Sequence, residues 1–139
     1  MATSYDELWT TFVDSSGIDV ATLPQSDRYI YALINKAIDL YNEKIDEEFY
    51  DTLESNNTSE EITPSLDRKR LRILAMCLNV EILKMQLEDF NVEWQYDQSA
   101  VKSRFYKDQN SARQTAIKNL LDDIDQRIVN MNNNEWYNS

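Results

Sequence analysis

The sequence predicts a mostly α-helical fold: an antiparallel bundle of about four helices, with an extended arm or short hairpin between the last two. Three observations carry that expectation. The 139-residue chain holds one Gly and two Pro, too few for the many turns of a sheet-rich domain. Apolar residues recur at three- and four-residue steps over long stretches, which places them on one helix face. Polar capping residues stand where those stretches begin. The length suits one domain over 1–139, and a hydrophobic content of 42% supports a modest core. Within it, 1–25 reads as a short helix and an extended segment, and 132–139 as a polar tail.

The first helix is predicted from Ser4 to Asp14. Ser4 is the cap, and Glu7 stands three residues on, as in a capping box. Leu8 and Phe12 lie one turn apart, with Trp9 beside them. Gly17, the single glycine, ends the unit. "IDVATLP" then runs extended to Pro24. Ser26 or Asp27 caps a second helix to about Leu53. Its stripe is Ile30, Leu33, Ile34, Ala37, Ile38, Tyr41, Ile45, Phe49 and Leu53, and its length is roughly 40 Å at ~1.5 Å per residue. "ESNNTSEEIT" reads as a loop. The third helix has Thr63 as cap with Pro64 in its first turn, or Ser65 as cap, and runs to about Phe90. Its stripe is Leu71, Leu74, Ala75, Leu78, Ile82 and Met85. The fourth helix begins near Asp108 or Ser111 and carries Ala116, Ile117, Leu120, Leu121, Ile124, Ile128 and Met131. The tail "NNNEWYNS" holds Trp136 and Tyr137.

Net charge is −11, and residues 1–65 carry 14 acids and 3 bases against 11 of each in 66–139. A nucleic-acid binder draws most of its affinity from a basic surplus, so the chain as a whole repels DNA. The second helix ends in Asp46, Glu47, Glu48, Asp51 and Glu54, and the third begins with Arg68, Lys69, Arg70 and Arg72. Each cluster opposes its helix dipole. In an antiparallel hairpin the two ends lie side by side and compensate; the same clusters can instead meet between subunits.

The residue inventory excludes much chemistry. With no His, Ser-His and Cys-His nucleophile systems and His-bound zinc are absent. One Cys removes cysteine-rich metal sites and, as an unpaired thiol, agrees with a reducing compartment. One Gly precludes a phosphate-cradling loop. Asp39, Glu43 and Glu47 fall at i, i+4 and i+8 on one helix face. They could hold a hard cation, and the plainer reading is a solvated acidic face. Cys77 reads as a small core residue. The expectation is a protein that is not an enzyme and uses no cofactor or metal. No apolar run approaches the ~20 residues of a membrane span. The N-terminus lacks a signal peptide's basic start and apolar core, so synthesis in a cytoplasm is expected.

The stretch "VEWQYDQSAVKSRFYKDQNSARQTA", Val92 to Ala116, breaks the helical rhythm. Val92, Trp94 and Tyr96 alternate with polar residues, a strand period. "DQSA" can turn, and Val101 and Phe105 share one side of an extended or early helical piece. Lys102, Arg104, Lys107, Arg113 and, just beyond, Lys118 collect here, interleaved with Phe105 and Tyr106. Arg and aromatics are enriched in protein interfaces and also serve single-strand binding; in an acidic chain a protein partner is favoured. Two uses stay open, an arm folded back on its own bundle and a contact with a neighbouring copy.

The segments "DRYIYALINKAIDLYN", "TPSLDRKRLRILAMCLNVEILKMQLEDF" and "EWQYDQSAVKSRFYKDQNSARQTAIKNLLDDIDQRI" resemble the head-to-tail connector (adaptor, or head-completion) proteins of tailed bacteriophages, notably those of Gram-positive hosts. The resemblance spans most of 25–130. It implies a virion protein at the neck that assembles as a ring, commonly of twelve copies. It also implies portal and tail-side or stopper proteins as partners, and a central channel through which DNA passes without sequence-specific binding. Carried over by position, Trp136 and Tyr137 would dock on the portal. Asp39, Glu43 and Glu47 are candidates for the channel wall, where fixed anions repel phosphates. Trp94, Tyr96, Lys102, Arg104, Phe105 and Tyr106 are candidates for the subunit interface. The alternative is a small helical protein-protein adaptor with no virion role; a nucleic-acid-binding helical protein stands third.

Overall fold

A computed structural model of the chain describes residues 2–17, 23, 26–45, 50–94 and 100–138, with the side chains of 90–94, 100–106 and 134–138 left undescribed. The order is β1 (Thr3–Ser4), α1 (Tyr5–Ser16), α2 (Asp27–Lys44), β2 (Glu54–Asn56), β3 (Glu61–Thr63), α3 (Arg68–Trp94) and α4 (Ala100–Asn138). The four helices form a bundle, and the strands form a small antiparallel sheet in the order β1-β3-β2.

Local chemistry sets α1. The Glu7 amide donates to Ser4 Oγ at 3.1 Å, satisfying one orphan N–H of the first turn. Asp6 and Glu7 in that turn favour the dipole. Gly17 closes the helix at φ 67, a left-handed conformation that only glycine adopts without strain. Tyr5, Leu8 and Phe12 are buried, and the Trp9 ring tilts against Phe12 with centroids 5.5 Å apart.

Helix α2 is shorter than its periodicity predicts. It ends at Lys44, and Ile45 is already extended. Leu53 is nonetheless 3% exposed, because Asn42 clasps it: Asn42 Nδ2 donates to the Leu53 carbonyl at 2.9 Å, and the Leu53 amide donates to Asn42 Oδ1 at 2.8 Å. The chain folds back onto α2 there. The predicted loop beyond is a hairpin, β2 against β3, with Ser55 opposite Ile62. Asn56 Oδ1 accepts from Thr58 N at 2.9 Å and Ser59 N at 3.2 Å, an Asx turn that needs no glycine. Glu60 takes the left-handed conformation, φ 55. β1 completes the sheet with Thr3 opposite Ile62, and Ile62 is fully buried.

The third helix starts later than predicted. Pro64 follows a cis peptide bond, and the cap is Asp67, whose Oδ1 accepts from Arg70 N at 2.8 Å. Neither Thr63 nor Ser65 has that role. Helix α3 is the hub, packing against α1, α2 and α4. Ile73, Leu74, Ala75, Cys77, Leu78, Val80 and Ile82 are all buried, around the helix rather than along one stripe, as expected of a central helix. Helix α4 buries Ile117, Ile124, Ile128 and Met131, a narrow seam of seven-, four- and three-residue steps. Ala116 is exposed.

The arm expected between the last two helices is corrected. Helix α3 continues through Val92, Glu93 and Trp94, and α4 starts at Ala100, eight residues before Asp108. The strand-like alternation of Val92, Trp94 and Tyr96 spans too few residues to outweigh the helix running into it. Residues 95–99 lie outside the described residues. The tail is corrected as well: α4 carries through to Asn138, about 58 Å in all.

Candidate functional site

The side chains singled out for a subunit interface fall where least is described. The backbones of Trp94, Lys102, Arg104, Phe105 and Tyr106 are helical, but their side chains lie outside the described residues, as does all of Tyr96. Trp136 and Tyr137 sit in the last turns of α4, again with undescribed side chains. Of the acidic row, Asp39 and Glu43 are exposed on α2; that helix ends at Lys44, and Glu47 lies outside the described residues. Among the described residues no group of three or more His, Cys, Asp or Glu could hold a metal ion. No described helix is long and apolar enough to cross a membrane.

Two ionisable groups among the described residues have no exposure at all. Cys77 is fully buried, and burial pushes its thiol up to about 12, so the nucleophilic thiolate is suppressed. Tyr41 is also fully buried. Burial pushes its hydroxyl up to about 12, against the lowering influence of the nearby Arg70 guanidinium. The geometry gives Tyr41 Oη no hydrogen-bond partner among the described residues. Both are core groups.

Of the acids expected to compensate the bases of α3, Asp46, Glu47 and Glu48 lie outside the described residues. Among the described residues, Arg70 at the start of α3 is held by Asp67 at 3.3 Å and lies over the Tyr50 ring at 5.4 Å. Arg68, Lys69 and Arg72 are exposed, and no described acid pairs with them; Asp51 and Glu54 make no ion pair there. Lys44 leaves the acidic end of α2 and reaches α4, where Asp125 Oδ1 lies 2.6 Å away. Asp39 and Glu43 also have no described partner. Among the described residues, Asp39 and Glu43 on α2 and Arg68, Lys69 and Arg72 at the start of α3 thus have no ion-pair partner.

Two grooves flank the hub helix. One, about 560 Å³, lies between the first half of α2 and the second half of α3, where Leu33 and Met85 meet Lys36, Lys84 and Glu88. Tyr29 on its edge is 63% exposed. The other, about 710 Å³, lies between α1, α3 and α4. Arg68 and Arg72 from α3, Asp14 from α1, and Asp123 and Arg127 from α4 line it, and Arg127 Nε sits 3.5 Å from Asp123 Oδ1 one turn along α4. Asn79 lines the same groove, and its buried Oδ1 has no partner among the described residues. Sequence reasoning found the basic run but not the groove. Arg68 and Arg72 are one turn apart on a helix, whereas Asp14 and Arg127 come from opposite ends of the chain and converge only on folding.

Comparison with known proteins points in one direction. A family described as YomZ prophage protein matches residues 1–134. A relative named SPbeta prophage-derived uncharacterized protein YomZ, from Bacillus subtilis (strain 168), is 27% identical over 128 residues, covering 92% of this chain and 95% of the relative. No solved structure matches.

Proposed function

The chain belongs to the YomZ prophage protein family, and we propose from that footing that it is a structural protein of the phage particle. In this reading it is a ring-forming connector between the capsid portal and the tail or stopper complex, with DNA passing through the ring. The phage origin is given by the family; the connector role is supported by the surface. A small helical body carries two unlike charged faces with no ion-pair partner among the described residues, Asp39 and Glu43 on α2 and Arg68, Lys69 and Arg72 on α3. Unlike complementary patches are what a head-to-tail contact between identical copies requires. The resemblance of the 25–130 segments to connector proteins points the same way. The last turns of α4, with Trp136 and Tyr137, are the proposed contact with the portal. The segment with Trp94, Tyr96, Lys102, Arg104, Phe105 and Tyr106 is a proposed further contact between subunits.

The test is the particle itself. Virions induced from a lysogen that encodes the chain, purified and imaged, should show it as a ring at the neck. Deleting its gene should leave filled heads and finished tails that do not join. Virions that lack the chain, or that join normally without it, overturn the connector role. The small helical adaptor acting outside the particle then takes its place.

A further inference from the structure

We propose that the exposed stripe of α2 in one copy docks into the α1/α3/α4 groove of the next copy. The argument starts from helical spacing. On α3 the groove is lined by Arg68, Arg72, Ala75 and Asn79, at steps of four, three and four. On α2 the exposed residues Glu43, Asp39, Lys36 and Ala32, read backwards, follow the same steps. Laid antiparallel, the two sets register residue for residue, the spacing by which paired helices share a seam. Glu43 then falls on Arg68 and Asp39 on Arg72, each pair one turn, about 6 Å, from the next. Lys36 falls above the groove floor at the buried Ala75, and Ala32 falls over Asn79, so no long side chain is set against another of like charge.

The surroundings agree with that register. Lys36 is left facing a groove whose other walls carry Asp14 and Asp123. Arg68 and Arg72 stand in the first turns of α3, where a cation opposes the helix dipole; Asp67 caps that end, and neither arginine has an ion pair among the described residues. An incoming carboxylate gains from the guanidinium groups. Tyr29, 63% exposed, continues the stripe by one step and adds an amphipathic ring of the kind interfaces use. A polyanion fits the groove less well, since Asp14 and Asp123 flank it and the chain carries −11 overall.

The stripe lies on α2 and the groove between α1, α3 and α4, so the contact is heterologous and propagates from copy to copy. Only its closure into a ring rests on the connector reading. The contact assigns Asp39 and Glu43 to a joint between subunits rather than to a channel wall.

The experiment uses the full chain and two charge-reversed variants, Arg68→Glu with Arg72→Glu, and Asp39→Lys with Glu43→Lys. All four positions are exposed, and circular dichroism checks that each variant keeps the wild-type helicity; Arg68→Gln with Arg72→Gln serves if reversal disturbs folding. Association is followed by sedimentation and by amide chemical shifts, from micromolar to millimolar protein at low salt. Each variant should associate at least about tenfold more weakly than wild type. An equimolar mixture of the two reversed variants should recover wild-type association, because each groove then meets an opposite stripe. Three results overturn the joint: no concentration dependence in the wild type, variants that associate as the wild type does, or a mixture as weak as its components. Wild-type rings that tolerate both reversals remove this joint and leave the ring. Virions without the chain remove the connector role and leave the joint measurable in purified protein.

Discussion

Tyr41 is well packed, and its hydroxyl has no hydrogen bond of good geometry among the described residues. Its ring is fully buried in the α2–α3 core, while its Oη has no partner among the described residues. An unsatisfied buried hydroxyl costs about 1–3 kcal/mol, so Tyr41→Phe should be neutral or stabilising by up to about 2 kcal/mol in denaturant unfolding. A measurable loss of stability would mean that the hydroxyl is bonded, the nearby Arg70 guanidinium being the candidate donor. Tyr41 and Cys77 also fix an alkaline limit. Folding raises the tyrosine from 10.0 to about 12 and the thiol from 9.0 to about 12. The native state therefore holds protons that the unfolded chain releases, and stability falls as pH rises from 9 toward 12. The double variant Tyr41→Phe, Cys77→Ala should have a flatter stability curve over that window than wild type, whatever its stability at neutral pH. An unchanged slope would show that other groups set the limit.

At the scale of elements, what was legible in the sequence is what short-range chemistry decides. Ser4, Glu7 and Gly17 carry their roles within one or two turns, and α1 begins and ends close to where they place it. The stripe Leu33, Ile34, Ala37, Ile38 and Tyr41 was equally legible, since burial of one face follows from spacing. Leu53 misled because it falls in helical register with Ile45 by coincidence. Its burial comes from the Asn42 clasp, a long-range contact that no local pattern reveals. The hairpin was missed for the opposite reason: its turn is built by Asn56 and a left-handed Glu60, without the glycine that usually marks one. The region around Val92–Lys107 misread because three alternating residues mimic a strand. That correction is testable. Lys107→Pro removes a backbone donor well inside α4 and should cost roughly 3 kcal/mol or unravel the start of the helix, seen as lost ellipticity. An extended arm would accept proline there with little change. The far end of α4 gives the converse case. Deleting 132–139 keeps Met131, the last described buried residue, so the melting temperature should change little, while the proposed docking on portal protein should weaken. A large drop in melting temperature would place the final turns in the core instead.

At the scale of the whole molecule, electrostatics acts in opposite senses on the fold and on the assembly. Inside the monomer the described ion pairs are few, and one, Lys84 with Glu81, is 3.6 Å apart and within a single helix. Exposed pairs of this kind contribute ~0–1 kcal/mol each. Against them stands a net charge of −11, carried by residues 1–65, whose mutual repulsion disfavours the compact state. Salt screens both, but the repulsion is summed over many acids at longer range, where screening removes most of it. The melting temperature of the dilute monomer should therefore rise between about 20 mM and about 500 mM NaCl. The proposed contact between copies would depend on Glu43 and Asp39 meeting Arg68 and Arg72, and over the same range it should weaken. Thermal melts at micromolar protein and sedimentation at high protein, run on the same salt series, separate the two effects. A melting temperature that falls with salt would mean that internal ion pairs dominate the fold. Association that strengthens with salt would mean that apolar surface, beginning with Tyr29, outweighs the charges in joining one copy to the next.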